Sequence, residues 1–305
     1  MKQLKFQQQF NLNYSLNCGQ TFNWTNQDNC WYGVIKNDVY CLKQDDNVLY
    51  IDSTNSDCIN TMKKYFRYQD NYELIISHIS LDPFIQSTIQ NFIGLRLIRQ
   101  DPWECTLSYL CASNTSISNI RKMVGHLSKR FGNELTFHGK QFFTIPSYST
   151  LSNASLSDII KCKVGYRAKY IKRSAVFIDQ NSHIFDELKI MNLINARKKL
   201  SNSYEMFGVG PKIADCILLF SHDMLDSFPI DTRILQTIKQ YYRHLFDPEI
   251  YKIQTDKSTL TSNQYEYLSK IMIGYFGPYA GYAQEFLYCQ SALSDKFTDK
   301  KHLYY

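Results

Sequence analysis

Residues 206–212 read Met206-Phe207-Gly208-Val209-Gly210-Pro211-Lys212 and lie between stretches of helical periodicity at 195–205 and 211–221. Two glycines around one apolar residue permit a hairpin so tight that the backbone N–H groups opening the second helix stay free to grip a phosphate. A dinucleotide-binding turn follows a strand, whereas this one joins two helices. The context therefore points to a helix-hairpin-helix hold on DNA. An ordinary helix–helix turn with Val209 in the core is the competing reading.

Lys212 falls in the first turn of the second helix, where the macrodipole disfavours its ammonium form. An amine attacks carbon only after losing its proton, so a depressed lysine pKa is the expectation for covalent amine catalysis. Nineteen residues on, after the break Ser227-Phe228-Pro229-Ile230, Asp231 precedes the helical stretch TRILQTIKQYY. As a plain N-cap it needs no other role. Paired with Lys212 it would set a carboxylate against positive charge developing on a sugar.

Upstream, Lys161, Lys163, Arg167, Lys169, Lys172 and Arg173 fall within thirteen residues, and no Asp or Glu occurs between Asp158 and Asp179. Read from sequence, these are six unopposed cations interrupted by Gly165-Tyr166. Basic and aromatic residues interleaved in this way suit phosphate neutralisation with base stacking, and a solvated helix face is the plain alternative.

From Lys2 to about Ser53 the pattern is strand-like. Runs such as WYGVI, DVYCLKQ and NVLYID are separated by Lys36-Asn37 and Asp45-Asp46-Asn47, which predicts an antiparallel sheet. From Asp57 the period becomes helical through CINTMKKYF, PFIQSTIQNFIGLRLI and DPWECTLSYLCAS, with Asp101, Pro102 and Glu104 at N-cap, N1 and N3. The expected class is α+β, with a small antiparallel sheet domain and its flanking helices at 1–80, a mostly helical body at 81–292 and a polar tail at 293–305.

The 305 residues are 44% hydrophobic, ample for a substantial core, so a disordered tail protein is excluded. A net charge of +6 favours an acidic partner. No apolar run approaches a membrane span and the N-terminus lacks a signal-peptide core, which predicts a soluble intracellular protein with no membrane partner. The nine cysteines are scattered, with no CxxC, so mostly buried free thiols are expected rather than disulfides, zinc or an iron–sulfur cluster.

The stretches CGQTFNW, WYGVI, LRLIRQDPWEC, CASNTSI, GYRAKY, GVGPKIADC, PIDTR and GPYAGYAQEFLY resemble the 8-oxoguanine DNA glycosylase/AP lyase family of the helix-hairpin-helix glycosylases over nearly the whole chain. The resemblance implies a sheet domain packed on a helical body, with a lesion pocket in the cleft. It also accounts for the missing cysteine cluster, because this branch lacks the iron–sulfur loop of the endonuclease III relatives.

Carried over by position, the resemblance makes Lys212 the Schiff-base nucleophile and Asp231 the essential carboxylate. Gly19 would accept the N7–H of 8-oxoguanine, Cys216 and Tyr288 would sandwich the flipped base, and Gln284 would read its Watson–Crick edge beside Pro229. Tyr166 would wedge into the duplex while Asn114 and Arg167 address the orphaned cytosine. Gly208, Gly210, Lys169 and Arg233 would meet the DNA backbone.

The chain departs from the family at Phe207, where a Pro is usual, at Thr115-Ser116 in place of an Asn pair, and at Arg233, where a His is common. It departs also at Asn119, where eukaryotic members carry an Arg that helps read cytosine. The implied activity is excision of 8-oxoguanine, and of formamidopyrimidine lesions, from double-stranded DNA in base excision repair. It needs no metal or organic cofactor, and the protein would act as a monomer ahead of an AP endonuclease. The site would be the nucleus in a eukaryote and the cytoplasm or nucleoid in a prokaryote. The rivals are a monofunctional glycosylase for another damaged purine, which would not need Lys212, and a DNA-binding module without chemistry.

Overall fold

The computed structural model describes residues 1–201, 206–247 and 260–298, with side chains to residue 292. Its first layer is a five-stranded antiparallel sheet of β1 (Lys2–Lys5), β2 (Trp24–Gln27), β3 (Cys30–Ile35), β4 (Asp38–Asp45) and β5 (Val48–Ser53), in the order β1-β5-β4-β3-β2. The three predicted runs are β3, β4 and β5. Lys36 and Asp46 turn the chain between them with φ of +54° and +47°, and the register pairs Trp31 with Leu42 and Leu42 with Ile51.

The helices are α1 (Leu12–Asn17), α2 (Cys58–Tyr65), α3 (Tyr72–Ile79), α4 (Pro83–Asn91), α5 (Pro102–Cys111), α6 (Ile117–Phe131), α7 (Tyr148–Asn153) and α8 (Leu156–Ile160). They continue as α9 (Arg167–Gln180), α10 (Ile184–Lys189), α11 (Leu193–Leu200), α12 (Pro211–Ser221), α13 (Thr232–Tyr241), α14 (Ser262–Phe276) and α15 (Ala280–Thr298). A second small sheet pairs β6 (Glu134–Phe137) with β7 (Lys140–Phe143). No described helix is long and apolar enough to cross a membrane.

Two large cores divide the molecule. One face of the main sheet packs Leu4, Trp24, Trp31, Tyr40, Leu42, Leu49 and Ile51 on Phe10, Leu12, Leu16, Met62 and Phe66. The other core runs through α3 to α15 and also takes in Cys18 and Phe22 from the loop after α1. The Cys18–Phe22 loop is thereby pinned to the helical body although it belongs to the N-terminal stretch of chain.

Three sequence expectations are corrected here. The strand-like region contains α1, which Asn11 caps by accepting the Tyr14 amide at 2.9 Å. The helical reading of PFIQSTIQNFIGLRLI holds only to Asn91, because Gly94 adopts φ +84° at a point where a Cβ would lie 2.7 Å from the Phe10 carbonyl carbon. Beyond it the chain is extended and inserts Leu95 and Leu97 into the helical core and Ile98 into the sheet core, so its apolar residues serve two neighbours rather than one helix face. At the far end α15 continues to Thr298, so residues 293–298 are helical rather than part of the polar tail.

Gln20 joins the two cores. Its amide nitrogen donates to the Ser15 and Arg96 carbonyls at 2.9 Å each, and its Oε1 accepts the Ile98 amide at 2.8 Å. A fully buried amide making this set of bonds fixes the Cys18–Gln20 loop against the extended segment.

Candidate active site

A cavity of about 740 Å³ opens where this loop meets α5, α12, α13 and α15. It is lined by Lys212 and Asp231, by Gly19, Cys216, Pro229, Gln284 and Tyr288, and by Asn114, Gly208 and Gly210. Asn119, Tyr166, Arg167, Lys169 and Arg233 lie outside its lining. Residues from four distant parts of the chain thus converge on one concavity of ligand size.

The second helix of the predicted hairpin is α12 at 211–221, as its periodicity indicated, while α11 ends at Leu200 and residues 202–205 of the expected first helix lie outside the described residues. Gly208 needs to be glycine: its φ is +91° and a Cβ would come 2.5 Å from the Tyr170 ring. Gly210 differs, being extended with open space where a Cβ would go. No side chain among the described residues caps α12, so the amides that follow Pro211 in its first turn, those of Lys212 and Ile213, have no side-chain cap. Val209 is buried as the competing reading required, and the two readings are compatible. Phe207 carries the Arg173 guanidinium 3.9 Å from its ring centroid, with Tyr170 edge-on at 5.3 Å, so an aromatic shelf stands where the family has proline.

Lys212 sits one turn before Cys216 on α12, with Nζ 5.2 Å from the centroid of the Tyr109 ring. Burial pulls its ammonium down, but Cys216, Asp231 and Glu285 push harder the other way, and the balance lies above the ordinary lysine value. The depressed pKa expected from the helix start is therefore corrected: the acidic surroundings of the cavity outweigh burial and the macrodipole. Burial drives the Cys216 thiol up to about 12 and the Glu285 carboxyl well above its usual range. Asp231 is also an N-cap, its Oδ1 accepting the Ile234 amide at 2.8 Å, and this holds the carboxylate in one orientation.

The lesion-side residues have distinct constraints. Gly19 has φ +92°, and a Cβ there would lie 3.0 Å from Tyr288 and 3.1 Å from Ile117. Gln284 is buried and its Oε1 has no hydrogen-bond partner. An unpaired buried carbonyl oxygen costs about 1–3 kcal/mol unless something bonds it, so this one is available to a hydrogen-bond donor entering the cavity.

The basic stretch is less free than its sequence suggested. Lys161 and Arg130 share the Asp158 carboxylate, and Lys172 donates to the Ser152 and Ala154 carbonyls at 2.5 and 2.7 Å, closing the end of α7. Arg167 is buried, its guanidinium bonded to the Ser113 carbonyl and 4.5 Å from the Tyr166 ring centroid. Lys163 and Lys169 remain exposed without a partner among the described residues. Tyr166 is 53% exposed at the start of α9. Asn119 is exposed in the first turn of α6, and Arg233 donates to the Ser291 carbonyl at 3.1 Å.

Sequence reading missed the support beneath the site. Asp215, fully buried on α12, pairs with Arg197 at 2.7 Å and accepts the Tyr265 hydroxyl at 2.6 Å. Tyr265 in turn accepts the Ile230 amide at 3.2 Å, next to Asp231. Glu285 was missed as well, although an acid within the apolar run Ala283-Gln284-Glu285-Phe286-Leu287 was the available signal.

Comparison with known proteins agrees with this architecture. Residues 3–106 match the family described as 8-oxoguanine DNA glycosylase, N-terminal domain. The N-glycosylase/DNA lyase OGG1 of Arabidopsis thaliana is 31% identical over 208 residues, which cover 68% of this chain but 54% of that protein. This chain therefore spans about half the length of that relative. The N-glycosylase/DNA lyase of Saccharomyces cerevisiae is 27% identical over 90% of this chain and 81% of its own length. Among solved structures, MBOgg1 in complex with a low-affinity DNA ligand superposes with a TM-score of 0.84 at 28% identity over 96% of both chains. The Clostridium acetobutylicum 8-oxoguanine glycosylase/lyase with DNA containing cytosine opposite 8-oxoG gives 0.82 at 26% identity, over 95% of this chain and 93% of that one.

Proposed function

We propose that this chain is a member of the 8-oxoguanine DNA glycosylase family and a bifunctional DNA glycosylase/AP lyase acting on 8-oxoguanine, and on formamidopyrimidine lesions, in duplex DNA. The observation that carries the reading is that Lys212 and Asp231, on separate helices, share one cavity with Gly19, Cys216, Gln284 and Tyr288. A cavity of this kind takes a base extruded from the helix. Gly19 and the unpaired Gln284 oxygen are then the polar readers, with the Cys216 and Tyr288 side chains stacking on the base.

In the reaction the Lys212 amine, having given up its proton, bonds to C1′ of the deoxyribose. The glycosidic bond breaks and its electron pair leaves with the base, which takes up a proton. The Asp231 carboxylate stabilises positive charge on the opening sugar. The C1′–O4′ bond then breaks as nitrogen loses a proton and O4′ takes one up, and the resulting imine acidifies C2′, so that loss of a C2′ proton expels the 3′ phosphate by β-elimination. The exposed Tyr166 enters the gap, Asn114, Asn119 and Arg167 meet the orphaned base, and Gly208, Gly210, Lys169 and Arg233 hold the backbone. The protein acts as a monomer, in the nucleus or nucleoid, and an AP endonuclease takes its product.

Borohydride added during turnover on a duplex with one 8-oxoguanine tests the reading. The protein should become covalently fixed to DNA, and Lys212→Gln should bind the duplex without excision or trapping. A trapped adduct in that variant, or excision by it, overturns the assignment of the nucleophile. Absence of excision by the natural protein overturns the activity itself.

A further inference from the structure

Directly beside the lesion pocket lies a cluster the proposed reaction does not use. The thiols of Cys18 and Cys289 and the carboxyl group of Glu285 come from chain positions up to 271 residues apart, yet their ligand atoms all lie within 4.8 Å of one another. All three residues are almost fully buried, at 1%, 0% and 3% exposure, and the Glu285 Oε1 has no hydrogen-bond partner among the described residues. Cys18 and Glu285 line the cavity, so the cluster is reachable through it.

We propose that Cys18, Glu285 and Cys289 form a binding site for a thiophilic divalent cation, Zn²⁺. Two sulfurs and a carboxylate oxygen match the donors zinc prefers, and a tetrahedral ion with bonds of about 2.0–2.3 Å holds such atoms roughly 3.5–3.8 Å apart. The cluster is close to that size already, and solvent in the cavity completes the shell. The Gln20 amide donates to the Cys18 sulfur at 3.2 Å, and Gln20 is itself locked by Ser15, Arg96 and Ile98. This supplies the outer-shell bond that orients a metal ligand. Coordination displaces the two thiol protons to solvent, and the Glu285 proton with them, and changes no oxidation state.

The site is wired to the lesion pocket by the chain itself. Cys18 precedes Gly19, Glu285 follows Gln284, and Cys289 follows Tyr288. Each ligand is thus the covalent neighbour of a residue lining the pocket, so drawing the three together acts on Gly19, Gln284 and Tyr288 at once.

The test uses the reduced, metal-free full-length protein and Co²⁺ as the spectroscopic probe. One equivalent should bind with a thiolate-to-cobalt charge-transfer band and the intense visible bands of a tetrahedral site, and one equivalent of Zn²⁺ should bleach both. Cys289→Ala should lose at least half of the charge-transfer intensity. Glu285→Gln keeps both thiols and should weaken binding by about tenfold or more. Cys30→Ser should leave the spectrum unchanged, which matters because Cys30 and Cys41 form another close thiol pair, 3.1 Å apart, in the sheet. The proposal is overturned if no charge-transfer band develops, or if it survives undiminished in Cys289→Ala and Glu285→Gln, or if Cys30→Ser removes it.

Discussion

The Tyr265 hydroxyl donates to the buried Asp215 carboxylate at 2.6 Å and accepts the Ile230 amide at 3.2 Å. One phenol thereby ties the central helix α12, which carries Lys212, to the loop that delivers Asp231. The Arg197 guanidinium on the other Asp215 oxygen keeps that carboxylate paired in a dry environment. The relative position of Lys212 and Asp231 is set three residues beyond the lysine and one residue before the aspartate.

Tyr265→Phe should leave the Asp215 Oδ2 and the Ile230 amide without their partner. We expect a loss of about 1–3 kcal/mol in unfolding free energy, the scale for orphaning a buried polar group. Single-turnover excision should slow while duplex affinity changes little. Unaltered excision by a destabilised variant would make Tyr265 a structural residue only.

Asp231→Asn separates charge from capping. Asparagine also accepts an amide hydrogen bond at an N-cap, so thermal unfolding should be nearly unchanged. Excision should fall by roughly 10²–10³, the usual scale for removing one preorganised electrostatic group. Asp231→Ala should lose about 1 kcal/mol of stability in addition. An Asn variant with near-normal rate would reduce Asp231 to its cap.

The two hairpin glycines should respond differently. Gly208→Ala forces a Cβ into the Tyr170 ring at a positive φ, so it should destabilise the fold by more than about 1 kcal/mol. Gly210→Ala meets nothing among the described residues and should fold normally. Its methyl group projects beside the uncapped amides of α12, and duplex binding should weaken. Equal affinity for Gly210→Ala and the natural protein in a gel-shift or anisotropy titration would mean the DNA backbone does not approach there.

Lys169 and Lys172 provide a paired test of the basic stretch. Lys169→Ala should flatten the dependence of log K on log[salt] by about one unit, as expected for one lost phosphate contact. Lys172→Ala removes the cation bonded to the Ser152 and Ala154 carbonyls. It should lower thermal stability and leave the salt slope as it was. The reverse pattern would exchange their roles.

Asn119 bears on the opposite strand. It is exposed in the first turn of α6, and its short uncharged amide both donates and accepts, so on the proposed function it would pair with several bases. On the proposed function Arg167 is left to read cytosine, with its guanidinium bonded to the Ser113 and Asn114 carbonyls. Excision opposite C should lead, with penalties for A, G and T that Asn119→Arg enlarges by roughly 5- to 150-fold, corresponding to about 1–3 kcal/mol for a base-edge contact. Strict discrimination by the natural protein with no gain in the variant would refute this.

Local pattern determined much of this protein. The alternation of WYGVI, DVYCLKQ and NVLYID and their two polar turns specify β3 to β5, because a half-buried strand and a left-handed turn each need particular residues at particular offsets. Asp101 and Pro102 start α5 and Gly208 turns the hairpin for equally local reasons. The extended run at 95–98 was not legible, since its apolar residues are divided between two cores that only the assembled layers create. Charge behaved likewise: Lys172 and Arg167 look free along the chain and are bonded to carbonyls from other segments. The protonation of Lys212 depends on Cys216, Asp231 and Glu285 arriving around it, and a Coulombic sum over three segments has no one-dimensional signature. For the same reason cysteine spacing argued against a metal site, while folding brings Cys18 and Cys289 together with Glu285 across 271 residues.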